Sequence, residues 1–252
     1  MPTRDTAWPN GTPCWIDYGA ADVDAAKIFY TDVLGWTYTG GEPEYGGYLT
    51  CEVNGRAAAG LAPQMDPSDP PRWTTYFATD DADATAARIT EAGGTVLVAP
   101  MDVGPMGRMA IALDPQGNVF GLWQAAEHTG VRIHDEPGAL VWTEAAVDDQ
   151  HGARAFYSAV FGFHFDEIEN MDGYATFATG DQLLGGLGGH RPGSPKGWTT
   201  CFSVSGADAA VAAVEKGGGR VRMAPEDTAY GRFAGAEDPW GAPFSVMQSL
   251  GG

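Results

Sequence analysis

The sequence predicts an α+β protein made of β-α-β-β-β units in tandem, arranged in two similar halves. The first observation is an internal repeat, in which the segment around Trp15 and Asp17 returns around Trp142 and Glu144 at a spacing of 127 residues. The second is that each copy alternates like a strand and then continues with apolar residues at helical spacing. The third is that short strand candidates joined by turn-forming residues follow each helix. A repeat of half the chain length favours two domains over one.

The opening unit is a strand followed by an amphipathic helix. The strand covers 14–18, where Trp15 and Asp17 share one face because side chains alternate along a strand. Asp22 is expected to cap the helix at its N-terminus, where its carboxylate can accept a backbone N–H. Gly35 is expected to end the helix in the left-handed conformation. The repeat predicts the same unit in the second half.

Turn signals predict the rest of each half. Strands 48–53 and 56–61 flank Asn54-Gly55, a dipeptide suited to a type I′ hairpin because both residues tolerate positive φ. A Pro-rich connector then precedes a second unit, which closes on the turn Asp-Pro-Gln-Gly at 114–117. The predicted boundaries are 8–126 for domain 1 (modules 12–62 and 72–124), 127–138 for a linker, and 139–249 for domain 2 (modules 139–188 and 197–248).

The charge balance narrows the possible partners. The chain of 252 residues carries 33 acidic and 14 basic residues, a formal net charge of -19, so its surface is expected to repel nucleic acid and anionic membranes. No apolar run approaches the roughly 20 residues of a membrane span, and the first residues lack the apolar region of a secretory signal. We therefore expect a cytoplasmic protein. The three cysteines have no Cys-x-x-Cys spacing and are expected to be buried apolar residues rather than disulfide or zinc ligands.

The motifs resemble those of a known superfamily. The helices of the first and third modules close on FYTDVLGW and FYSAVFGF, and a Gly-Arg pair followed by Asp-Pro-x-Gly ends each half. This pattern, over about 11–248, resembles the glyoxalase / bleomycin-resistance / extradiol dioxygenase superfamily, also called vicinal oxygen chelate proteins. More narrowly it is similar to two-domain actinobacterial proteins described as glyoxalase-like or as hydroxylases of aromatic polyketide pathways. The resemblance implies two cup-shaped, eight-stranded mixed sheets of paired modules, with helices outside and a ligand cavity inside.

The resemblance also implies a metal site, whose usual ligands are absent from this sequence. The family places a His or Gln about seven residues before the Asp that follows a module's first strand, and a Glu on a module's last strand. An indole nitrogen has no free lone pair for a metal, and glycine has no side chain. We therefore predict that both domains have lost the metal, and we predict no other cofactor. The positions reached by this comparison are Trp15, Trp73, Trp142, Trp198, Gly60, Gly121, Gly186 and Ser245.

Indoles and one carboxylate per cup remain as candidate site residues. Asp17 and Glu144 are tentative catalytic residues, because a carboxylate held against indoles is desolvated and suited to general acid–base chemistry. Alternatively, each carboxylate is a structural hydrogen-bond acceptor, the indoles are core, and the arginines pair with surface acids. No histidine lies on a predicted cup-facing strand. The residues expected to contact a ligand are Trp15, Trp73, Thr75, Trp142, Trp198 and Thr200 on the strands, with Arg108 and Arg232 as clamps for a ligand anion.

Three functions compete on this basis. The first is a metal-independent protein that binds a hydrophobic aromatic small molecule in secondary metabolism or resistance. The second is a cofactor-independent enzyme, an isomerase, lyase or hydroxylase-like protein acting on an aromatic polyketide, with Asp17 or Glu144 as acid or base. The third is a metal-dependent glyoxalase or dioxygenase, which needs ligands that are missing here. A monomer or a homodimer is expected, because four modules within one chain can pair with each other.

Overall fold

Two eight-stranded mixed sheets form in the part of the chain that the computed structural model describes, residues 2–169, 171, 173–190 and 194–250. The first sheet and its helices comprise β1 (Pro13–Ala20), α1 (Val23–Leu34), β2 (Thr37–Gly40), β3 (Leu49–Val53), β4 (Arg56–Pro63), β5 (Trp73–Ala78), α2 (Ala82–Glu91), β6 (Thr95–Val103), β7 (Gly107–Leu113) and β8 (Val119–Ala125). The second comprises β9 (Leu140–Val147), α3 (Gln150–Phe161), β10 (His164–Glu167), β11 (Ala175–Thr179), β12 (Gln182–Gly189), β13 (Gly197–Ser203), α4 (Ala207–Lys216), β14 (Arg220–Thr228), β15 (Gly231–Glu237) and β16 (Pro243–Ser249).

Each sheet joins two modules through their first strands. β1 pairs antiparallel with β5, and each is flanked in parallel by the last strand of its own module, β4 and β8. The strand order is β2-β3-β4-β1-β5-β8-β7-β6, and β10-β11-β12-β9-β13-β16-β15-β14 repeats it. The predicted α+β class and the tandem β-α-β-β-β modules are thus confirmed. β2 and β10 were not predicted, because both are short, mostly exposed edge strands without an alternating apolar pattern.

Local sequence signals set the ends of the elements as expected. The Asp22 carboxylate accepts the Ala25 N–H at 3.0 Å, and Gly35 ends α1 at φ 75°. The hairpin between β3 and β4 turns at Asn54 and Gly55, with φ of 52° and 70°. These capping and turn predictions are confirmed.

The helices lie outside each cup, yet between the two sheets of the molecule. α1 contacts α4 and α2 contacts α3, so each helix pair combines one helix from each half. One apolar core joins α1 and β1–β4 to α4 and the last strands of the second half. A second core joins Ile89 of α2 and strands β5–β8 to α3 and β9–β12. Because both cores are shared, burial of apolar surface holds the halves together.

A hydrogen-bonded chain of Trp, Tyr and Asp crosses the boundary between the halves twice. The Trp73 indole donates to the Tyr30 hydroxyl at 3.0 Å, and that hydroxyl donates to the Asp238 carboxylate at 3.0 Å. Tyr30 belongs to α1, whereas Asp238 opens the closing turn of the second half. The polar groups of the interface therefore satisfy each other reciprocally. The matching chain runs from Trp198 through Tyr157 to Asp114.

Two further expectations concern the cysteines and membrane-spanning segments. The three cysteines are buried and unpaired by disulfides, as the sequence predicts. Within the described ranges, no helix has the length and apolar character needed to cross a membrane.

Candidate functional site

Each sheet has a helix face and an opposite face, here called the cup face. On β1, Ile16 and Tyr18 belong to the core that contains α1. Trp15 and Asp17 alternate with them and therefore lie on the cup face. Trp15 packs in a separate small cluster with Tyr76. The predicted orientation of these two β1 residues is confirmed.

Hydrogen bonds in the cup of domain 1 converge on Asp17. The Trp15 indole donates to the Tyr48 hydroxyl at 2.8 Å. The Tyr48 hydroxyl lies 3.4 Å from Asp17 Oδ2, and the Tyr76 hydroxyl donates to the same oxygen at 3.1 Å. Within the part of the chain that the structure describes, neither an arginine nor a backbone N–H donates to this carboxylate. Asp17 therefore accepts hydrogen bonds from two tyrosine hydroxyls, and the Trp15 indole holds one of these hydroxyls in place.

Burial raises the pKa of Asp17 from its ordinary value of 3.8 to about 7, and the hydrogen bonds from Tyr76 and Tyr48 only partly oppose that rise. An acid with this pKa exchanges its proton near neutral pH. A pKa near 7 is one that suits a general acid or base, and the catalytic role of Asp17 stays a prediction.

Glycines make room for the two tyrosines. Gly60 pairs with Asp17 across β1 and β4, and a Cβ added there would collide with the Tyr48 hydroxyl and lie 2.6 Å from the ring carbon that bears it. Gly121 pairs with Tyr76, and a Cβ there would overlap the Tyr76 ring. The phenol rings thus fill the space that side chains at these two strand positions would take.

The residues present do not fit the metal that the family implies. The cup-face positions compared with metal ligands hold an indole at Trp15, and Gly60 and Gly121 lie under tyrosine rings. No group of three or more His, Cys, Asp and Glu side chains suited to a metal ion occurs in the described ranges. The donor set for a divalent cation is therefore not assembled in the described part of the chain.

Domain 2 repeats the arrangement with one tyrosine in place of two. The Trp142 indole donates to the Tyr174 hydroxyl at 3.1 Å, and that hydroxyl donates to Glu144 Oε2 at 3.1 Å. A Cβ on Gly186 would collide with the same hydroxyl. Burial raises the pKa of Glu144, while the Tyr174 hydrogen bond opposes the rise.

The second tyrosine of domain 1 has a smaller counterpart in domain 2. Tyr76 and Gly121 are neighbours on parallel strands, and Cys201 and Ser245 are the corresponding pair. Cys201 lacks both the ring and the hydroxyl. Glu144 therefore accepts a hydrogen bond from one tyrosine hydroxyl, whereas Asp17 accepts hydrogen bonds from two.

The linker covers the cup of domain 1. The imidazole of His128 meets Trp15 edge to face, with ring centroids 4.3 Å apart. The Trp123 indole donates to the His128 carbonyl at 2.8 Å, and the Val131 N–H donates to the Cys14 carbonyl at 2.8 Å. Burial lowers the pKa of His128 to about 4, so the imidazole is neutral at neutral pH. This histidine lies in the predicted linker and was not expected at a cup.

Four predicted ligand contacts lie on the wrong face of their strands. Trp73 donates to Tyr30 and packs 5.3 Å from Phe202 of the other half, and Thr75 lies 3.4 Å from Thr143 of the other half. The prediction was wrong because Asp17 pairs with Thr74, and a shift of one residue reverses the face of every side chain. The same correction applies to Trp198 and Thr200, which are buried between the sheets.

The predicted arginine clamps are also wrong. Arg108 pairs with Asp102 and with Asp83 of α2, each at 2.8 Å. Arg232 likewise pairs with Asp208 of α4 and with Asp227. The helix partners place both guanidinium groups on the helix side of the sheets. The alternative interpretation, pairing with surplus surface acids, is confirmed.

Sequence reasoning missed the tyrosines, although the repeat contained a signal for one pair. Tyr48 and Tyr174 both directly precede the second long strand of their module and differ by 126 positions, within the range of the repeat. Aligning the two halves residue by residue, beyond the motifs, would have found this pair. Tyr76 and His128 had no such signal, because Cys201 replaces the tyrosine and the linker occurs once.

We expect Gly60→Ala to lower the free energy of unfolding by roughly 1–3 kcal/mol, because its methyl group would displace Tyr48 and press on the Asp17 Cβ, 2.9 Å away. Gly19→Ala is the matched control on the cup face of β1, since the nearest atom to its methyl group would lie 3.5 Å away. Urea denaturation measures both changes. Equal stability of the two variants would contradict the close packing of Tyr48 over Gly60.

Sequence comparisons place the chain among known proteins. The protein CFP32 of Mycobacterium tuberculosis (strain CDC 1551 / Oshkosh), named provisionally as a glyoxylase, is 40% identical over 258 residues, covering 98% of this chain and 98% of that protein. The anthracycline biosynthesis protein DnrV of Streptomyces peucetius is 37% identical over 267 residues, covering 96% of this chain and 95% of that protein.

Solved structures share the architecture. The Mn(II)-bound glyoxalase from Novosphingobium aromaticivorans superposes with a TM-score of 0.68 at 17% identity, over 96% of this chain and 84% of that chain. The 2,2',3-trihydroxybiphenyl 1,2-dioxygenase from Sphingomonas wittichii strain RW1 gives 0.64 at 17% identity, over 96% and 93%. At this identity the likeness establishes the fold alone. The model of the Glyoxalase/Bleomycin resistance protein/Dioxygenase superfamily matches residues 15–122 and 139–246, and the chain belongs to that superfamily.

Proposed function

We propose that this protein binds a flat, hydrophobic aromatic small molecule of secondary metabolism, without a protein-bound metal. The observation that carries the proposal is the arrangement on the cup face of each domain. In each cup, an indole N–H donates to a tyrosine hydroxyl, and that hydroxyl contacts a carboxylate. The indoles stand at strand positions where the family places metal ligands. Apolar walls with a few convergent polar groups are typical of small-molecule sites.

The relatives support the class of ligand. DauV and DnrV are named for anthracycline biosynthesis, and anthracyclines carry fused, planar aromatic rings. Indole and phenol faces offer large contact area to such rings at low entropic cost. A carboxylate can accept hydrogen bonds donated by the hydroxyl groups that such molecules bear.

Metal independence rests on the chemistry of the donor set. The indole nitrogens of Trp15 and Trp142 have no free lone pair for a cation, and both donate their N–H groups to tyrosine hydroxyls. Placing glutamate at Gly60 or Gly186 would require the tyrosine above it to leave. The tyrosine network and a metal site therefore compete for the same space.

A second candidate is acid–base catalysis on the bound molecule. The observation that favours it is the pKa of about 7 for Asp17, which matches a proton donor or acceptor near neutral pH. Glu144, with its raised pKa, is the corresponding group in domain 2. Turnover would change the ligand, whereas sequestration would leave it intact.

Titration calorimetry against anthracyclinones and hydroxyanthraquinones tests the proposal. We expect saturable binding that EDTA leaves unchanged, with the ligand recovered intact by mass spectrometry. A consistent change in the mass or absorbance of the recovered ligand would favour the acid–base enzyme. Failure of every aromatic ligand, together with activity that appears only on adding Mn(II), Ni(II) or Zn(II), would overturn the proposal.

A further inference from the structure

We propose that the aromatic ligand binds in the cup of domain 2 alone and donates a hydrogen bond, from a phenol hydroxyl or an amine, to the Glu144 carboxylate. This inference rests on the proposed function and adds the location and the chemical class of the ligand. Three differences between the cups carry it.

The first difference, within the described residues, is that a segment of the chain covers the indole in domain 1 but not its counterpart in domain 2. In domain 1, the linker ring of His128 lies 4.3 Å from Trp15, whose side chain is left only 3% exposed. Trp8 adds to this cover by donating to the Val131 carbonyl at 3.0 Å. Trp142, the counterpart of Trp15, is half-buried and has no aromatic ring stacked on it among the described residues. In domain 1 the chain itself therefore covers the indole on which a ligand ring would pack.

The position of His128 indicates what the other cup can accept. A flat aromatic ring meets the Trp15 indole edge to face, a favoured geometry for aromatic pairs. The repeat relates Trp15 to Trp142, so a ring that enters the second cup can adopt the same geometry against Trp142. His128 thus serves in domain 1 as an internal stand-in for an aromatic ligand.

The second difference is the apolar surface at the mouth. Leu183 is 56% exposed, and Tyr230 is 64% exposed where its counterpart in domain 1, Met106, is 37% exposed. Tyr230 lies close enough to Tyr174 to raise the pKa of that phenol. The counterpart of Leu183 is Ala57, which is half-buried against the Trp15 cluster. Exposed apolar side chains around a buried polar group mark a binding surface.

The third difference is the number of hydrogen-bond donors. Asp17 receives the hydroxyls of Tyr48 and Tyr76, whereas Glu144 receives the Tyr174 hydroxyl alone. Cys201 stands where a second tyrosine would complete the set. A phenol or amine on the ligand would take the role that Tyr76 has in domain 1.

Entry to this cup requires side chains to move. Cys201 and Ser245 are 2% and 7% exposed, so neighbouring groups cover them. Met247 follows Ser245 on β16 and alternates with the helix-face residue Val246, which places it on the cup face. Methionine is unbranched and adaptable, and its movement would admit a ring beside Trp142.

The test titrates alizarin and its dimethyl ether, which share a planar shape but differ in phenol donors, into the full-length protein. We expect one alizarin per chain, with much weaker binding of the ether. Glu144→Gln should weaken alizarin binding by at least about tenfold, because an amide oxygen is a weaker hydrogen-bond acceptor than a carboxylate. Tyr76→Phe in domain 1 is the matched control and should leave the affinity unchanged.

A second variant tests the location without touching the carboxylate. Cys201→Tyr with Ser245→Gly copies the Tyr76 and Gly121 pair into domain 2 and should abolish alizarin binding while circular dichroism stays native. Two alizarin molecules per chain, or weakening by Tyr76→Phe but not by Glu144→Gln, would overturn this inference and leave the proposed function standing. Equal binding of the ether would overturn the donor requirement. Failure of the wild-type protein to bind any aromatic probe would instead overturn the proposed function.

Discussion

Replacing Asp17 with Asn is expected to stabilise the protein at about pH 8 by roughly 2–4 kcal/mol. Burial raises the pKa of this carboxyl from 3.8 to about 7, so above neutral pH the folded chain holds a poorly hydrated charge. Each pKa unit corresponds to about 1.4 kcal/mol, which sets a ceiling of about 4 kcal/mol. Asparagine keeps an acceptor oxygen for Tyr76 without the charge.

The pH dependence of the stability gain shows whether ionisation of the buried Asp17 carboxyl causes it. A group whose pKa is raised on folding contributes stability that is fully present below its unfolded pKa and lost as pH rises through its folded pKa. Urea denaturation should therefore show a gain from Asp17→Asn that grows between about pH 4 and pH 7 and then levels off. Asp24→Asn, at a side chain that is 91% exposed, is the control and should show no such trend. A loss of stability in Asp17→Asn at pH 8 would mean that the ionised carboxylate stabilises the fold.

Replacing Asp238 with Ala is expected to lower the free energy of unfolding by about 3–5 kcal/mol. Its carboxylate is 3% exposed and accepts the N–H groups of Trp240 and Ala242 as well as the Tyr30 hydroxyl. Alanine would leave two buried donors and one half-buried donor without this partner, and would cut the Trp–Tyr–Asp chain between the halves. Buried polar groups that lose their partners are costly.

Two variants with smaller expected costs serve as comparisons in urea denaturation. Tyr30→Phe removes only the bridging hydroxyl and should cost about 1–3 kcal/mol. Asp208→Ala removes an ion pair to Arg232 at a side chain that is 69% exposed, and should change stability by less than about 1 kcal/mol. If Asp238→Ala cost no more than Asp208→Ala, the cross-domain chain would not be a stabilising contact.

Because the two halves share their apolar cores, substitutions at the interface between them are expected to change the stability of the whole molecule. Each apolar core contains residues of both halves, so the halves are expected to unfold in one cooperative transition. The reciprocal contacts of Asp114 and Asp238 add polar links to that apolar interface. The site networks on the cup faces lie on the opposite side of each sheet. Substitutions at Asp114 or Asp238 therefore change the interface between the halves without removing a hydrogen-bonding group of the cups.

The sequence by itself determined the modules, their duplication and the residue types at the strand positions compared with metal ligands. These features are local: Asp22 caps its own helix, Asn54 and Gly55 turn their own hairpin, and glycine at position 60 is read directly from the chain. Internal repetition then extended each local pattern to the second half.

Only the tertiary structure decided which side chains meet at the cups. Alternation shows that Trp73 and Thr75 share a face but not which face, because pairing with a distant strand sets that orientation. Tyr48 reaches Asp17 across 31 positions, and His128 approaches Trp15 from the linker. These contacts depend on long-range register and on the path of loops, which local spacing does not encode.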